Sequence, residues 1–151
     1  MIFHSFSEKE TEKLGRNCAS CLQGGEILAL SGPLGSGKTA FTKGLARGLG
    51  IRERVKSPSF ILRQDFKVKA RALKIRHFLH LDAYRLKTSE DFFSLGVKEW
   101  LGEKNVVGVV EWPQRVKGFL KKYSVLKIRF RYGKRENERV IDIPPVFLYA
   151  K

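Results

Sequence analysis

At 151 residues and 42% apolar content, the chain suits one domain with a real core, residues 1–151, burying about 70% of its unfolded surface. No stretch approaches the ~20 apolar residues of a membrane span, and the charged start argues against a secretory signal, so a cytoplasmic protein with no membrane partner is expected. The 30 Lys and Arg outnumber the 15 Asp and Glu, and the resulting net charge of +15 favours anionic partners (nucleotide, nucleic acid or an acidic protein face) without choosing among them.

Ser7-Glu-Lys-Glu10 reads as a capping box that opens a helix running to about Leu22, with Leu14, Cys18, Cys21 and Leu22 on one face. Cys18 and Cys21 have no second pair to complete a zinc site, and they lack the context of a redox motif. They read as reduced, partly buried thiols. Gly24-Gly25 ends the helix, and Glu26 to Ser31 is a strand. Gly32-Pro-Leu-Gly-Ser-Gly-Lys-Thr39 follows, fitting the phosphate-loop pattern of two glycines five apart and then Lys-Thr. Gly32, Gly35 and Gly37 let the backbone turn its N–H groups inward at phosphate oxygens. Lys38 is placed to reach the β- and γ-phosphates and Thr39 to ligate Mg²⁺. The helix opening at Lys38 adds the positive end of its dipole. Its Phe41, Leu45 and Leu49 recur at four-residue spacing, with Gly48 and Gly50 as stop signals.

Pro58 in Ser57-Pro-Ser-Phe60 forbids a helix at Ser57. Phe60–Phe66 and Ile75–Leu81 read as strands joined by the basic stretch from Lys67 to Lys74, a hairpin that makes the sheet mixed. Thr88 or Ser89 caps a short helix Glu90–Leu95, and a further helical turn spans Val97–Leu101. Val106–Val110 is an unbroken apolar strand, as expected of one covered on both faces. Pro113 can open a helix after it, and Ser124–Tyr132 with Glu138–Ile143 closes the chain as a hairpin about Gly133. The alternation of strands and helices is that of an α/β fold.

Hydrolysis on a phosphate loop needs an acidic group at the tip of a neighbouring strand. Asp82 follows Phe78-Leu-His-Leu81 and Glu111 ends Val106–Val110. One would bind the metal and the other orient or deprotonate water, in either assignment. Ser57 and Ser59 sit where a γ-phosphate-sensing switch would lie. Trp112, Tyr84 and Arg85 are candidates for site wall or partner contact, and His77 and His80 read as structural. Lys127, Arg129 and Arg131 alternate onto one strand face, a solvated surface or a weaker candidate for direct RNA contact.

Together, Gly32-Pro-Leu-Gly-Ser-Gly-Lys-Thr39, Val55-Lys-Ser-Pro-Ser-Phe60, His80-Leu-Asp-Ala-Tyr-Arg-Leu86, Leu95-Gly96 and Val109-Val-Glu-Trp-Pro113 resemble the TsaE (YjeE) family in order and approximate spacing. The resemblance spans about Ser7 to Ile143. It implies a three-layer phosphate-loop α/β fold with a central mixed, mostly parallel sheet, binding ATP and Mg²⁺. It further implies an ATPase that works with TsaB and TsaD to install threonylcarbamoyl on adenosine 37 of tRNAs reading ANN codons, with tRNA met indirectly. By carry-over, ATP meets Gly32, Gly35, Ser36, Gly37, Lys38, Thr39 and Ala40, with Glu8 towards the adenine. Thr39 and Glu111 go to the metal, and Asp82 becomes the candidate for positioning water. Pro33, Ser59 and Leu81 depart from the family's usual residues, yet no reacting group is lost. Two other readings are a nucleotide-gated assembly module with incidental hydrolysis and a small phosphate-loop kinase.

Overall fold

The computed structural model describes residues 1–56, 62–70 and 73–149. In chain order its elements are β1 (Ile2–Ser5), α1 (Glu8–Cys18), β2 (Ile27–Ser31), α2 (Lys38–Gly48), β3 (Arg63–Lys67), β4 (His77–Asp82), α3 (Ser89–Phe93), β5 (Val106–Glu111), α4 (Lys117–Leu120), β6 (Val125–Tyr132) and β7 (Arg139–Asp142). The strands form one sheet in the order β1-β7-β6-β2-β5-β4-β3. The four central strands β6, β2, β5 and β4 run parallel. The edges are antiparallel, with β3 against β4, and β7 between β6 and β1. The sheet is mixed, with a parallel core, as its hairpin signals required.

Helices cover both faces, giving three layers. On one side α1 and α2 bury Leu28, Leu30, Phe78, Val107, Val109, Ile128 and Phe130. On the other, Phe92 of α3 and Phe119 of α4 pack with Ile27, Leu81, Val97 and Val110. Every residue of β5 is buried, which accounts for its uninterrupted apolar run. In β6, Ile128 and Phe130 point into the core while Lys127, Arg129 and Arg131 are exposed, the alternation expected of a half-covered strand.

The helical layer beside the site is held by glycine. A Cβ on Gly15 would lie 2.2 Å from the Phe41 carbonyl oxygen, and one on Gly44 would lie 2.0 Å from that of Glu12. The backbones of α1 and α2 therefore touch, and α1 is set against the helix that follows the phosphate loop.

Several boundaries differ from those expected. α1 stops at Cys18 and continues as a 3-10 turn, Ala19–Cys21. Within the described residues, the strand expected over Phe60–Phe66 is Arg63–Lys67. Val97–Leu101 is the single helical turn expected, closed from the Leu101 N–H to the Val97 carbonyl at 3.0 Å. Pro113 opens a 3-10 turn, Pro113–Val116, ahead of α4. β1 had no sequence signal. It is an edge strand held by β7, and its pattern is mostly exposed. Both cysteines are free thiols, and burial pushes Cys18 up to about 12.

Candidate functional site

The carboxyl ends of β2, β4 and β5 lie together at one sheet edge, where open α/β sheets bind ligands. A cavity of about 750 Å³ opens there. The Gly32–Thr39 loop turns from β2 into α2 with Gly32 at φ 151° and Gly37 at φ 101°. A side chain at Gly32 would place its Cβ 2.5 Å from the Phe130 carbonyl oxygen, so only glycine fits. Gly37 is the residue from which α2 starts, in the left-handed region, leaving the first N–H groups of the helix without intrahelical acceptors. Lys38 folds back over the loop. Its Nζ donates to the carbonyls of Gly32 at 2.9 Å and Pro33 at 2.8 Å, and lies 4.5 Å from the Trp112 ring centroid. Burial lowers its pKa, against the opposing pull of Glu111 and Asp82.

Asp82 and Glu111 are register partners on the parallel strands β4 and β5. Both are buried, at 7% and 3% exposure, which is unusual for carboxylates and marks a specialised environment. Glu111 Oε1 accepts from the Thr39 hydroxyl at 3.3 Å and from His80 Nε2 at 2.9 Å. Asp82 Oδ1 accepts from the Tyr84 N–H at 2.8 Å. Burial, reinforced by the charge of Glu111, raises the Asp82 pKa, while the Tyr84 N–H, His80 and Lys38 pull the other way.

Trp112 follows Glu111 with φ 57°, a left-handed conformation uncommon for a non-glycine residue. Its ring lies 4.9 Å from that of Tyr84, and both line the cavity with Arg85. Glu8, at the start of α1, also lines the cavity and accepts from Lys43 Nζ at 3.0 Å. The expected residues Gly35, Gly37, Lys38, Thr39, Ala40, Asp82 and Glu111 also line this cavity. Gly32 and Ser36 lie outside that lining, where Gly32 serves the loop through its carbonyl. Ser57 and Ser59, the expected switch, lie outside the described residues.

Sequence reasoning missed part of the lining. Phe6, Thr11, Asn137 and Arg139 reach the cavity, Arg139 through a 3.2 Å bond from its Nε to the Gly35 carbonyl. Tyr132 likewise donates to the Leu34 carbonyl, so β6 and β7 brace the loop tip. His77 packs edge-on against Trp100, consistent with a structural role, but His80 bonds the site carboxylate. The spacing His80-x-Asp82 held the only clue to this.

The donor set suits a nucleotide with Mg²⁺. Among the described residues, no group of three His, Cys, Asp or Glu side chains forms an all-protein metal cage. A Thr hydroxyl beside one carboxylate is instead the sparse arrangement that holds Mg²⁺ together with phosphate oxygens. Within the loop, the Ser36 hydroxyl is buried outside the cavity lining and has no hydrogen-bond partner among the described residues.

Sheet order, loop and paired carboxylates define a phosphate-loop α/β protein. The family model described as threonylcarbamoyl adenosine biosynthesis protein TsaE matches residues 5–141, and the chain belongs to that family. Three relatives, each named tRNA threonylcarbamoyladenosine biosynthesis protein TsaE, illustrate the likeness. That of Treponema pallidum is 38% identical, covering 80% of this chain and 84% of its own. That of Bacillus subtilis is 33% identical, covering 90% and 81%. That of Borreliella burgdorferi is 33% identical, covering 87% and 91%. The crystal structure of Bacillus subtilis YdiB superposes with a TM-score of 0.72 at 28% identity, over 93% of this chain and 82% of that one.

Proposed function

We propose that the chain is a Mg²⁺-dependent ATP hydrolase serving threonylcarbamoylation of adenosine 37 in tRNAs that read ANN codons, acting in the cytoplasm with TsaB and TsaD. The observation that carries the catalytic part is the convergence of Lys38, Thr39, Asp82 and Glu111 on one cavity at the carboxyl edge of the sheet. Family membership supports the pathway. No helix among the described residues is long and apolar enough to cross a membrane.

In this reading Lys38 exchanges its two loop carbonyls for β- and γ-phosphate oxygens, while the loop and helix N–H groups cradle the remainder. Thr39 and Glu111 would hold Mg²⁺, which when bound would supply positive charge to offset that of the phosphates. Asp82 orients the attacking water and takes its proton. Its raised pKa favours that proton transfer more than an ordinary exposed carboxylate would. Trp112 and Tyr84 shield the γ-phosphate end of the cavity from bulk water.

Phosphate release is the direct test, measured for the pure protein alone and with TsaB and TsaD. Mg²⁺-dependent turnover that rises with the partners and vanishes in Glu111→Ala is expected. A chain that binds nucleotide and its partners yet never releases phosphate would instead be a nucleotide-gated assembly module. A phosphorylated small-molecule product would make it a kinase.

A further inference from the structure

We propose that His80 is a positioning residue, forming with Gln64 a relay from the Lys56 backbone to Glu111 that holds this carboxylate ready for the metal. The proposal rests on the reading of Glu111 as a Mg²⁺ ligand.

The relay begins at the main chain of Lys56. Its N–H donates to Gln64 Oε1 at 3.0 Å, and its carbonyl accepts from Gln64 Nε2 at 3.0 Å. A backbone N–H only donates and a carbonyl only accepts, so the Gln64 amide fits in one orientation. The second hydrogen of Nε2 then points to His80 Nδ1, 3.3 Å away. Gln64 and His80 are register partners on β3 and β4, so the sheet itself sets this pairing. Because Nδ1 must accept, the ring proton belongs on Nε2, the nitrogen 2.9 Å from Glu111 Oε1. His80 therefore presents a donor to the carboxylate in a defined tautomer.

At 1% exposure, His80 is embedded between two polar groups whose geometry leaves it one role. A packing residue at this buried strand position would be served better by an apolar side chain such as its neighbours Leu79 and Leu81. Among the described residues, the donors from His80 and Thr39 both engage Oε1 of Glu111, and the relay thereby reserves Oε2 for the cation. It also couples Glu111 to Lys56, the residue just before the Ser57 stretch.

The test compares wild type with Glu111→Gln, His80→Leu, His80→Gln and Gln64→Leu. One readout is the ¹⁵N spectrum of the His80 ring in the nucleotide-free chain. The other is the affinity for a fluorescent ATP analogue during a Mg²⁺ titration and in EDTA. Expected are an Nε2–H tautomer in the wild type and loss of that preference in Gln64→Leu. His80→Leu should raise the Mg²⁺ concentration needed for tight binding by about 10- to 100-fold, leaving affinity in EDTA unchanged. His80→Gln, whose amide still reaches the carboxylate, should recover most of the loss. Combining His80→Leu with Glu111→Gln should cost no more than Glu111→Gln alone. If His80→Leu fails to fold, Gln64→Leu carries the test from the half-buried edge strand, with an expected rise in the Mg²⁺ requirement. An Nδ1–H tautomer overturns the relay. So does an unchanged Mg²⁺ requirement in His80→Leu or Gln64→Leu while Glu111→Gln abolishes it, an outcome that leaves Glu111 as ligand. A wild type whose nucleotide binding ignores both Mg²⁺ and Glu111→Gln overturns that reading and the relay together.

Discussion

Gly44→Ala sets two effects of opposite sign against each other. Alanine is the better helix former, and inside α2 it should stabilise by roughly 0.5–1 kcal/mol. The new Cβ, however, would sit 2.0 Å from the Glu12 carbonyl oxygen and 2.8 Å from its carbon. Ordinary contact begins at 3.4 Å, so α1 and α2 must part by about 1.4 Å. The obstruction is backbone, not a side-chain end that swings aside, so relaxation moves a whole helix and costs about 1–3 kcal/mol. The steric effect wins, leaving a net loss of about 1–2 kcal/mol. At 2–4 °C per kcal/mol for a chain of this size, the melting temperature should fall by about 2–8 °C in differential scanning calorimetry. Because α1 carries Glu8 and α2 carries Thr39, both in the lining of one cavity, nucleotide affinity should fall as well. A melting temperature at or above the wild-type value would refute the claim that these backbones are in contact.

Lys38→Ala removes charge-assisted bonds to phosphate and should weaken ATP binding by about 10- to 100-fold in a calorimetric titration; unchanged affinity would remove Lys38 from the phosphate site. Asp82 should titrate above its ordinary value of 3.8 by carboxyl NMR. Its fold favours the protonated form, so that contribution to stability is present at low pH and lost as pH rises through the raised value. Asp82→Asn, which keeps an acceptor for the Tyr84 N–H, should therefore be at least as stable as wild type at neutral pH while losing phosphate release. That stability difference should shrink on acidification, and denaturant titrations at several pH values check it. If the exposed β6 face meets tRNA, binding should be detectable at low salt and fall steeply as salt rises, and Lys127→Ala with Arg129→Ala and Arg131→Ala should flatten that slope by up to about 2–3; no binding at low salt would leave the face to solvent.

Short-range signals established the local framework. Apolar strand runs, capping residues and the glycine spacing of Gly32–Thr39 act over a few residues, so β2, the loop, α2 and β5 were legible, as were both hairpins. The chemistry-bearing side chains of that framework were legible too, because Lys38, Thr39, Asp82 and Glu111 stand at the ends of recognisable elements. β1 was not, since Ile2–Ser5 is a mostly exposed edge whose order comes from pairing with β7. Nor was the near contact of α1 and α2, because the carbonyls that meet Gly15 and Gly44 belong to the other helix.

The relations between distant residues come from the packing of the sheet and its helices. That packing placed Arg139 on Gly35 across 104 positions and His80 on Glu111 across 31. It also put Asp82 and Glu111 side by side, so that burial and mutual charge raise one carboxylate. Periodicity and spacing describe what each segment can form. Burial, tautomer and the partner of each buried polar group depend on which segments the sheet order brings together.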